Sequence, residues 1–388
     1  MERKELGTIV AEFAPSKENK NPRNSEGAFL RLDDNTILFA YSRFKGHGCE
    51  DWGPSDLCAA VSRDGGRSFG EERTLLRCED EKAVNIMSIS LLEMKNGDIG
   101  LFYLVRHMRT KVQMFLRRSG NGGKTWGDRV LCTPQEGFFV VNNDRVTRLQ
   151  SGRILIPAAR HQTGRLDDAP NCEEGEEWVA DRESKPDGYF MDARSEAVFF
   201  YSDDDGYTWQ AAEGKCCMPY LRNCTSGLQE PGVVELAPGV LWGFARTDLG
   251  RQYEMYSMDN GNTWTGAGPS RFSAPNSPLS MKRDRKGDIW AVWNPIPEYN
   301  GRETRTDIFT GGRTPYVIAV SSDNGKTFTK AMAFETKEDH GYCYCSIFFL
   351  EDGVLLGYNS GGPEDGSCLA KLSIRKILWE ELEELRKR

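Results

Sequence analysis

Apolar and polar residues alternate with a period of two along most of the chain, in paired runs separated by short turns. EGAFLRLDDNTILFAY, NIMSISLLEMKNGDIGLFY, NNDRVTRLQSGRILIPAA, QEPGVVELAPGVLWGFA, SPLSMKRDRKGDIWAVW and YCSIFFLEDGVLLGY are six such pairs. A period of two sends successive side chains to opposite faces of a strand, so each pair predicts a β-hairpin. Each of the first five is followed by a second motif: SRDGGRSF, SGNGGKTW, SDDDGYTW, SMDNGNTW and SSDNGKTF, of common form S-x-D/N-x-G-x-T/S-W/F. This box predicts a turn. Its Asp or Asn accepts backbone N–H bonds across the bend, its glycine takes a positive φ, and the last aromatic pins the turn to the sheet.

Repeated hairpins predict radial repetition, in which each four-stranded sheet covers its neighbour's face. Six of them predict an all-β fold, a six-bladed β-propeller forming one domain over residues 1–375. After the last hairpin only one further strand candidate remains, SCLAKLSI. The N-terminal Gly7–Phe13 is expected to supply the missing fourth strand and close the ring. Two segments stand outside the repeat. Residues 161–196 form a polar, acid-rich excursion, read as a surface loop with a lid over the site as the alternative. Residues 376–388 are expected to form a C-terminal helix packed on the outside, its basic end suited to a helix C-terminus.

Composition narrows the classes. Over 388 residues, 38% hydrophobic and 11% aromatic content suffices for a core and is too high for disorder. A net charge of −8 argues against bulk attraction to nucleic acid or to an anionic membrane. No apolar run approaches the ~20 residues that span a bilayer. The first residues hold no apolar signal core, so a cytoplasmic location is expected. Eleven cysteines show no CxxC spacing, and none of the four histidines stands at i, i+4 from another. Neither a disulfide framework nor a metal site is expected, and no cofactor.

Register points to a site. In a radial array the first strand of each hairpin lines the central channel. Tyr344 stands nine residues before the turn glycine Gly353, Glu230 nine before Gly239, and Asn143 nine before Gly152. Tyr344 and Glu230 therefore hold equivalent positions and can meet across the channel. Strict alternation in GYCYCSIFF places Tyr342 and Tyr344 on one face and Cys343 and Cys345 on the other. The two cysteines read as small buried hydrophobes.

The five boxes resemble the Asp-boxes (BNR repeats) of the sialidase, or neuraminidase, superfamily, and the resemblance extends over essentially the whole chain. It implies the fold; in that family the boxes sit away from the active site. Sparser residues carry the implied activity, since sialidases use three arginines, an Asp, a Glu and a Tyr. In QEPGVVELAPGVLWGFAR, Glu230 and Arg246 resemble the family's Glu and second arginine in spacing and strand context. YCSIFFLEDG resembles the segment in which a tyrosine opens the last inner strand, at Tyr344. Arg313 in RTPYVIAVSSDNG resembles the third arginine, and Arg23 in NPRNSEGAF the first. There the family's Arg-Ile-Pro is replaced by Arg23-Asn24-Ser25. Asp51 in EDWGPSD resembles the acid/base loop, with Glu50 and Asp56 as its competitors.

The chemistry suits such a set. A sialic acid bears a carboxylate on its anomeric carbon, and rigid guanidinium forks hold that anion better than lysine does. A carboxylate nucleophile would be repelled by the same anion, whereas a tyrosine stays neutral until a neighbouring base draws off its proton. The resemblance thus implies Tyr344 as nucleophile, Glu230 as its base, Asp51 as general acid/base, and Arg23, Arg246 and Arg313 as carboxylate clamp. Terminal sialic (nonulosonic) acid would be released from a glycan substrate with retention. Asn143, Asp144 and Arg145, with Asn142, are read as sugar-binding, a structural network being the alternative. Trp178 and Phe190 are candidates for stacking on a sugar. Two rivals remain: a glycosidase or lyase acting on a different sugar, and a non-catalytic carbohydrate-binding propeller.

Overall fold

The computed structural model describes residues 6–108, 110–165, 189–219, 221, 224–297 and 309–386. It is all-β apart from short helical turns and one C-terminal helix. All six hairpins form, each antiparallel, and they are numbered here as units one to six. They pair Asn24–Arg31 with Ile37–Phe44, Asn85–Glu93 with Ile99–Met108, and Thr147–Arg148 with Ile154–Arg165. The remaining three pair Gln229–Ala237 with Val240–Arg246, Ser280–Arg283 with Ile289–Trp293, and Cys343–Phe349 with Gly353–Asn359.

Units one, four, five and six are four-stranded sheets. Units two and three depart from the expected pattern by fusing into one nine-stranded sheet. The short strand Phe138–Val140 makes the join, parallel to Lys111–Ser119 on one side and antiparallel to Ile154–Arg165 on the other. The sixth sheet is completed as expected by the N-terminal strand Thr8–Phe13, antiparallel to Leu372–Leu378. That last strand runs further than expected. Residues 376–378, expected in the helix, are strand, and Arg375 and Lys376 are buried in it, held at 2.8 Å each by Glu335 and Asp352. The helix is accordingly Trp379–Arg386, with Trp379 packed on Trp290 and Phe349.

The excursion begins and ends as ordinary hairpin, since Ile154–Arg165 and Tyr189–Ser202 stay paired out to Arg165 and Tyr189. Residues 166–188, Trp178 among them, and the side chain of Phe190 lie outside the described residues.

The boxes fold as their residues dictate. In the first, Asp64 Oδ1 accepts from the N–H groups of Arg67 and Ser68 at 2.9 and 3.0 Å, and Ser68 Oγ donates to Oδ2 at 2.6 Å. Ser62 Oγ donates to Asp64 at 2.8 Å and accepts from Gly66 N at 2.8 Å. The Ser and Asp or Asn bonds recur around Asn121, Asp204, Asp259 and Asp323. The box glycines touch the neighbouring unit. A Cβ on Gly325 would lie 2.7 Å from Trp242 of unit four, and one on Gly66 would lie 2.8 Å from Leu355 of unit six. Apolar clusters follow the same cyclic order. Leu38 and Leu101 join units one and two, Phe102 and Phe200 join two and three, and Leu155 and Leu241 join three and four. Trp242 and Ala291 join four and five, Ile318 and Leu356 five and six, and Leu355 and Phe39 six and one.

Two outcomes test this account. Trp209 ends the third box, bonds Gly206 O at 3.1 Å and meets Phe102 of unit two edge-on at 6.0 Å. Trp209→Ala is expected to cost about 3–5 kcal/mol in chemical denaturation. The box carboxylates also link stability to acid. Burial pushes the Asp64 carboxyl up, but bonds from Ser68 and Ser62 outweigh it and hold the group at about 2; bonds from Thr327 hold Asp323 at about 2 as well. Groups depressed on folding contribute stability above their unfolded value near 4 that is lost as pH falls toward 2. Asp64→Asn, the residue type already present at Asn121, should flatten that part of the acid-unfolding curve.

Candidate active site

Four inner strands are bent at one matching position. The pairing register slips between Ser25 and Ala28, Met87 and Ser90, Gln229 and Gly232, and Cys343 and Ser346. Within these bulges Glu26, Ser88, Glu230 and Tyr344 take left-handed φ values of 56°, 57°, 48° and 58°. Such angles are costly away from glycine, and a bulge turns a side chain out of its alternating place. All four residues line one cavity of about 480 Å³, counted to its open mouth.

The bulges correct two expectations. In unit three the left-handed residue is Asp144, φ 56°, one beyond Asn143, so Asn143 is not the equivalent of Glu230 and Tyr344. The alternation in GYCYCSIFF also breaks at Tyr344. Tyr342 and Cys345 share an apolar cluster with Tyr316 and Tyr358, Tyr344 enters the cavity, and Cys343 Sγ accepts from Arg313 at 3.2 Å.

Tyr344 and Glu230 meet. The phenol donates to Glu230 Oε1 at 3.1 Å, and Arg246 Nη1 donates to Glu230 Oε2 at 3.0 Å and to the Tyr344 oxygen at 3.3 Å. Gln229 Oε1 fixes the guanidinium from behind, at 3.0 and 2.8 Å from Nε and Nη2. Arg313 stands 5.5 Å from the Tyr344 ring centre. Burial and the Glu230 carboxylate push the phenol's pKa up, while Arg246 and Arg313 pull it down less strongly.

Arg23 and Asp51 join the same group. Arg23 is buried, and its terminal nitrogens donate to Asp51 at 2.6 Å, Cys49 O at 3.0 Å, Ser25 Oγ at 3.1 Å and Glu26 at 3.1 Å. Asp51 lines the mouth with its side chain 57% exposed. Burial of its carboxyl is outweighed by Arg23, with Arg106 and Arg246 adding, so Asp51 lies below the ordinary carboxylate range. Its competitors stand elsewhere: Asp56 accepts from Lys45 and from Cys78 N, at 2.8 and 3.0 Å, and Glu50 is exposed and does not line the cavity.

Of the expected binding residues Arg23, Arg246, Arg313, Asn143, Asp144 and Arg145, none lines the cavity itself; the three arginines bond or face residues that do, while the other three bond neighbouring units. Asn143 Nδ2 donates to the carbonyls of Gly27 at 2.7 Å and Tyr344 at 3.1 Å. Asp144 accepts from Lys282 at 2.8 Å and from Ile347 N at 3.1 Å. Arg145 donates to Leu279 O at 2.6 Å and covers the Phe244 ring. These are contacts between units, which replace the expected contact with sugar.

Asn142, read as sugar-binding with its three neighbours, does line the cavity, and four polar lining residues escaped the sequence reading: Glu26, Asn85, Ser88 and Arg106. Glu26 and Ser88 carry the same nine-residue spacing, to Asn35 and Gly97. Arg106 pairs across its hairpin with Asn85 as Arg246 pairs with Gln229. Asn85 Oδ1, Arg106 Nε and Asn142 Nδ2 are buried without a partner among the described residues. Beside them Met87, Leu104, Val112 and Val140 form an apolar wall. The site thus offers hydrogen-bond donors, acceptors and an apolar surface around a phenol bonded to a carboxylate and a guanidinium.

The fold is that of the sialidases. Similar solved structures include a Hadza microbial sialidase, 16% identical with a TM-score of 0.69 over 96% of this chain and 68% of that one. Trypanosoma rangeli sialidase in complex with sialic acid is 14% identical, TM-score 0.66, over 99% of this chain and 59% of that one. A Dyadobacter fermentans protein of unknown function is 17% identical, TM-score 0.64, over 95% and 99%. The BNR repeat-like domain matches residues 79–356, and the chain belongs to that family. A search of curated proteins gives no match.

Glu26 yields a test of the site's electrostatics. Burial, opposed by Arg23 and aided by Asp51, pushes its carboxyl up to about 7. A carboxyl raised on folding binds its proton more tightly in the native state, so stability falls as pH rises from its unfolded value toward 7. Glu26→Gln is expected to remove that decline, read as unfolding midpoints between pH 5 and pH 8.

Proposed function

We propose that the chain is an exo-acting glycoside hydrolase of the sialidase type, its six units arranged as a six-bladed β-propeller around the cavity. The cyclic order of inter-unit contacts and the closing N-terminal strand support the architecture. The observation that carries the activity is the Tyr344–Glu230–Arg246 contact, one phenol bonded to a carboxylate and a guanidinium within 3.3 Å.

In this reading Glu230 takes the phenolic proton as Tyr344 attacks the anomeric carbon. The proton transfer removes the negative charge that raises the phenol, and Arg246 and Arg313 then face the phenolate. Asp51 protonates the departing oxygen and afterwards activates water, giving retention through a glycosyl-tyrosine. In the empty site Arg23 keeps Asp51 ionised. A bound carboxylate drawing on Arg23 loosens that hold while covering Asp51, and both effects raise its affinity for a proton. The substrate is a terminal sialic or related nonulosonic acid on a glycan; the sialic acid complex of the Trypanosoma rangeli sialidase supports that choice.

One observation favours a second reading, a propeller glycosidase or lyase acting on a different sugar. Arg23 is 1% exposed and bonded to two carboxylates, and like Arg246 and Arg313 it does not line the cavity, which leaves a smaller clamp for a substrate anion. Inhibition by an unsaturated sialic acid analogue separates the two, being expected only of the first.

Tyr344→Phe and Glu230→Gln are each expected to lower kcat/KM on an aryl sialoside by roughly 10²–10⁴-fold. Full activity in either variant defeats the mechanism.

A further inference from the structure

Arg246 divides its guanidinium between charged and neutral partners. Nη1 donates to Glu230 at 3.0 Å and to the Tyr344 oxygen at 3.3 Å. On the other side, Nε and Nη2 both donate to Gln229 Oε1, at 3.0 and 2.8 Å. Gln229 begins the inner strand of unit four and pairs across the hairpin with Arg246 itself. Its Nε2 donates in turn to Ala193 O of unit three at 3.1 Å. An amide suits both neighbours: its oxygen accepts from the guanidinium and its nitrogen donates to the carbonyl, which a carboxylate cannot do. Arg23 is the contrast. Its terminal nitrogens meet two carboxylates, Glu26 and Asp51, so its charge is compensated within the protein.

We propose that Gln229 is a positioning residue for the nucleophile, aiming Arg246 at Tyr344 while adding no charge of its own. The inference rests on the reading of Tyr344 as nucleophile and Glu230 as its base. Before reaction Arg246 is compensated by Glu230. The phenolic proton then passes to Glu230, which becomes neutral, and the negative charge appears on the Tyr344 oxygen. The same Nη1 now faces that oxygen with no carboxylate bonded to its guanidinium. Support that grows as charge develops lowers a barrier, whereas support already present in the ground state does not. A carboxylate at position 229 would keep Arg246 compensated throughout and remove the gain. The other charged or titratable groups around the phenol are Glu230, Arg313, Arg23 and the Cys343 thiol. None of them bonds the Gln229 side of the guanidinium.

The test reads the phenol directly and needs no substrate. In Tyr344→3-nitrotyrosine the phenolate absorbs visible light and titrates where the protein stays folded. Gln229→Glu is expected to raise that midpoint by about one pH unit, a tenfold change in the ionisation constant. Gln229→Met removes the acceptor without adding charge and should move it far less. No shift in Gln229→Glu overturns the proposal, as do equal shifts in both variants, the result of a merely structural role. With Tyr344 intact, Gln229→Glu should lower kcat on an aryl sialoside roughly tenfold at little change in KM, the mark of an interaction made in the transition state. That loss should shrink as pH falls and the added carboxyl takes up a proton; an unchanged kcat overturns the proposal. If the wild type cleaves no sialoside, the proposed function fails separately, and the titration alone decides the role of Gln229.

Discussion

One side-chain amide holds the centre of the molecule together. Asn143 Nδ2 bonds the carbonyl of Gly27, beside the bulge at Glu26, and that of Tyr344, within its own bulge. Asp144 extends the same tie by accepting from Ile347 N and Lys282. Left-handed backbone at Glu26, Glu230 and Tyr344 is strained, and it persists because neighbouring units pin it. The polar chemistry at the centre is thus a product of contacts between units, and no single hairpin contains it.

Charge at the centre is arranged as a chain of shared partners. Glu26 and Asp51 share Arg23, while Glu230 and Tyr344 share Arg246. Among the described residues Arg106 Nε has no partner, and Arg313 meets a thiol and a ring face. Sharing keeps the buried guanidiniums compensated in the absence of ligand. It also means that a ligand's charge is felt at Asp51 and Tyr344 together.

Much of this was legible in the chain itself. Period-two runs around short turns, five of the six with a glycine, define the hairpins, and five boxes define outer turns. The join between units two and three was not, because Phe138–Val140 is only three residues long and its pairing is decided by the neighbouring sheet. The helix start was obscured by Arg375 and Lys376, whose partners come from elsewhere in the chain. At the site, counting back from the turn found Tyr344 and Glu230, and the same count marks Glu26 and Ser88. It failed at Asn143 because in unit three the left-handed residue, Asp144, comes one later. Asn142 was marked by its polar cluster, but Asn85 and Arg106 carry no local signal: a polar residue near a strand end becomes a lining residue only through what lies across the sheet.

The strand Thr8–Phe13 lies beside Leu372–Leu378, so residues made at opposite ends of the chain share one sheet. During synthesis the early units can form their local hairpins as they emerge, but this sheet must wait for the last segment. Arg23 is made before Tyr344, and the contact between units one and six brings the two within electrostatic reach of each other. Assembly of the chemical centre therefore waits for the segment that carries Tyr344, and a chain made only up to that segment carries its arginines and acids without the phenol.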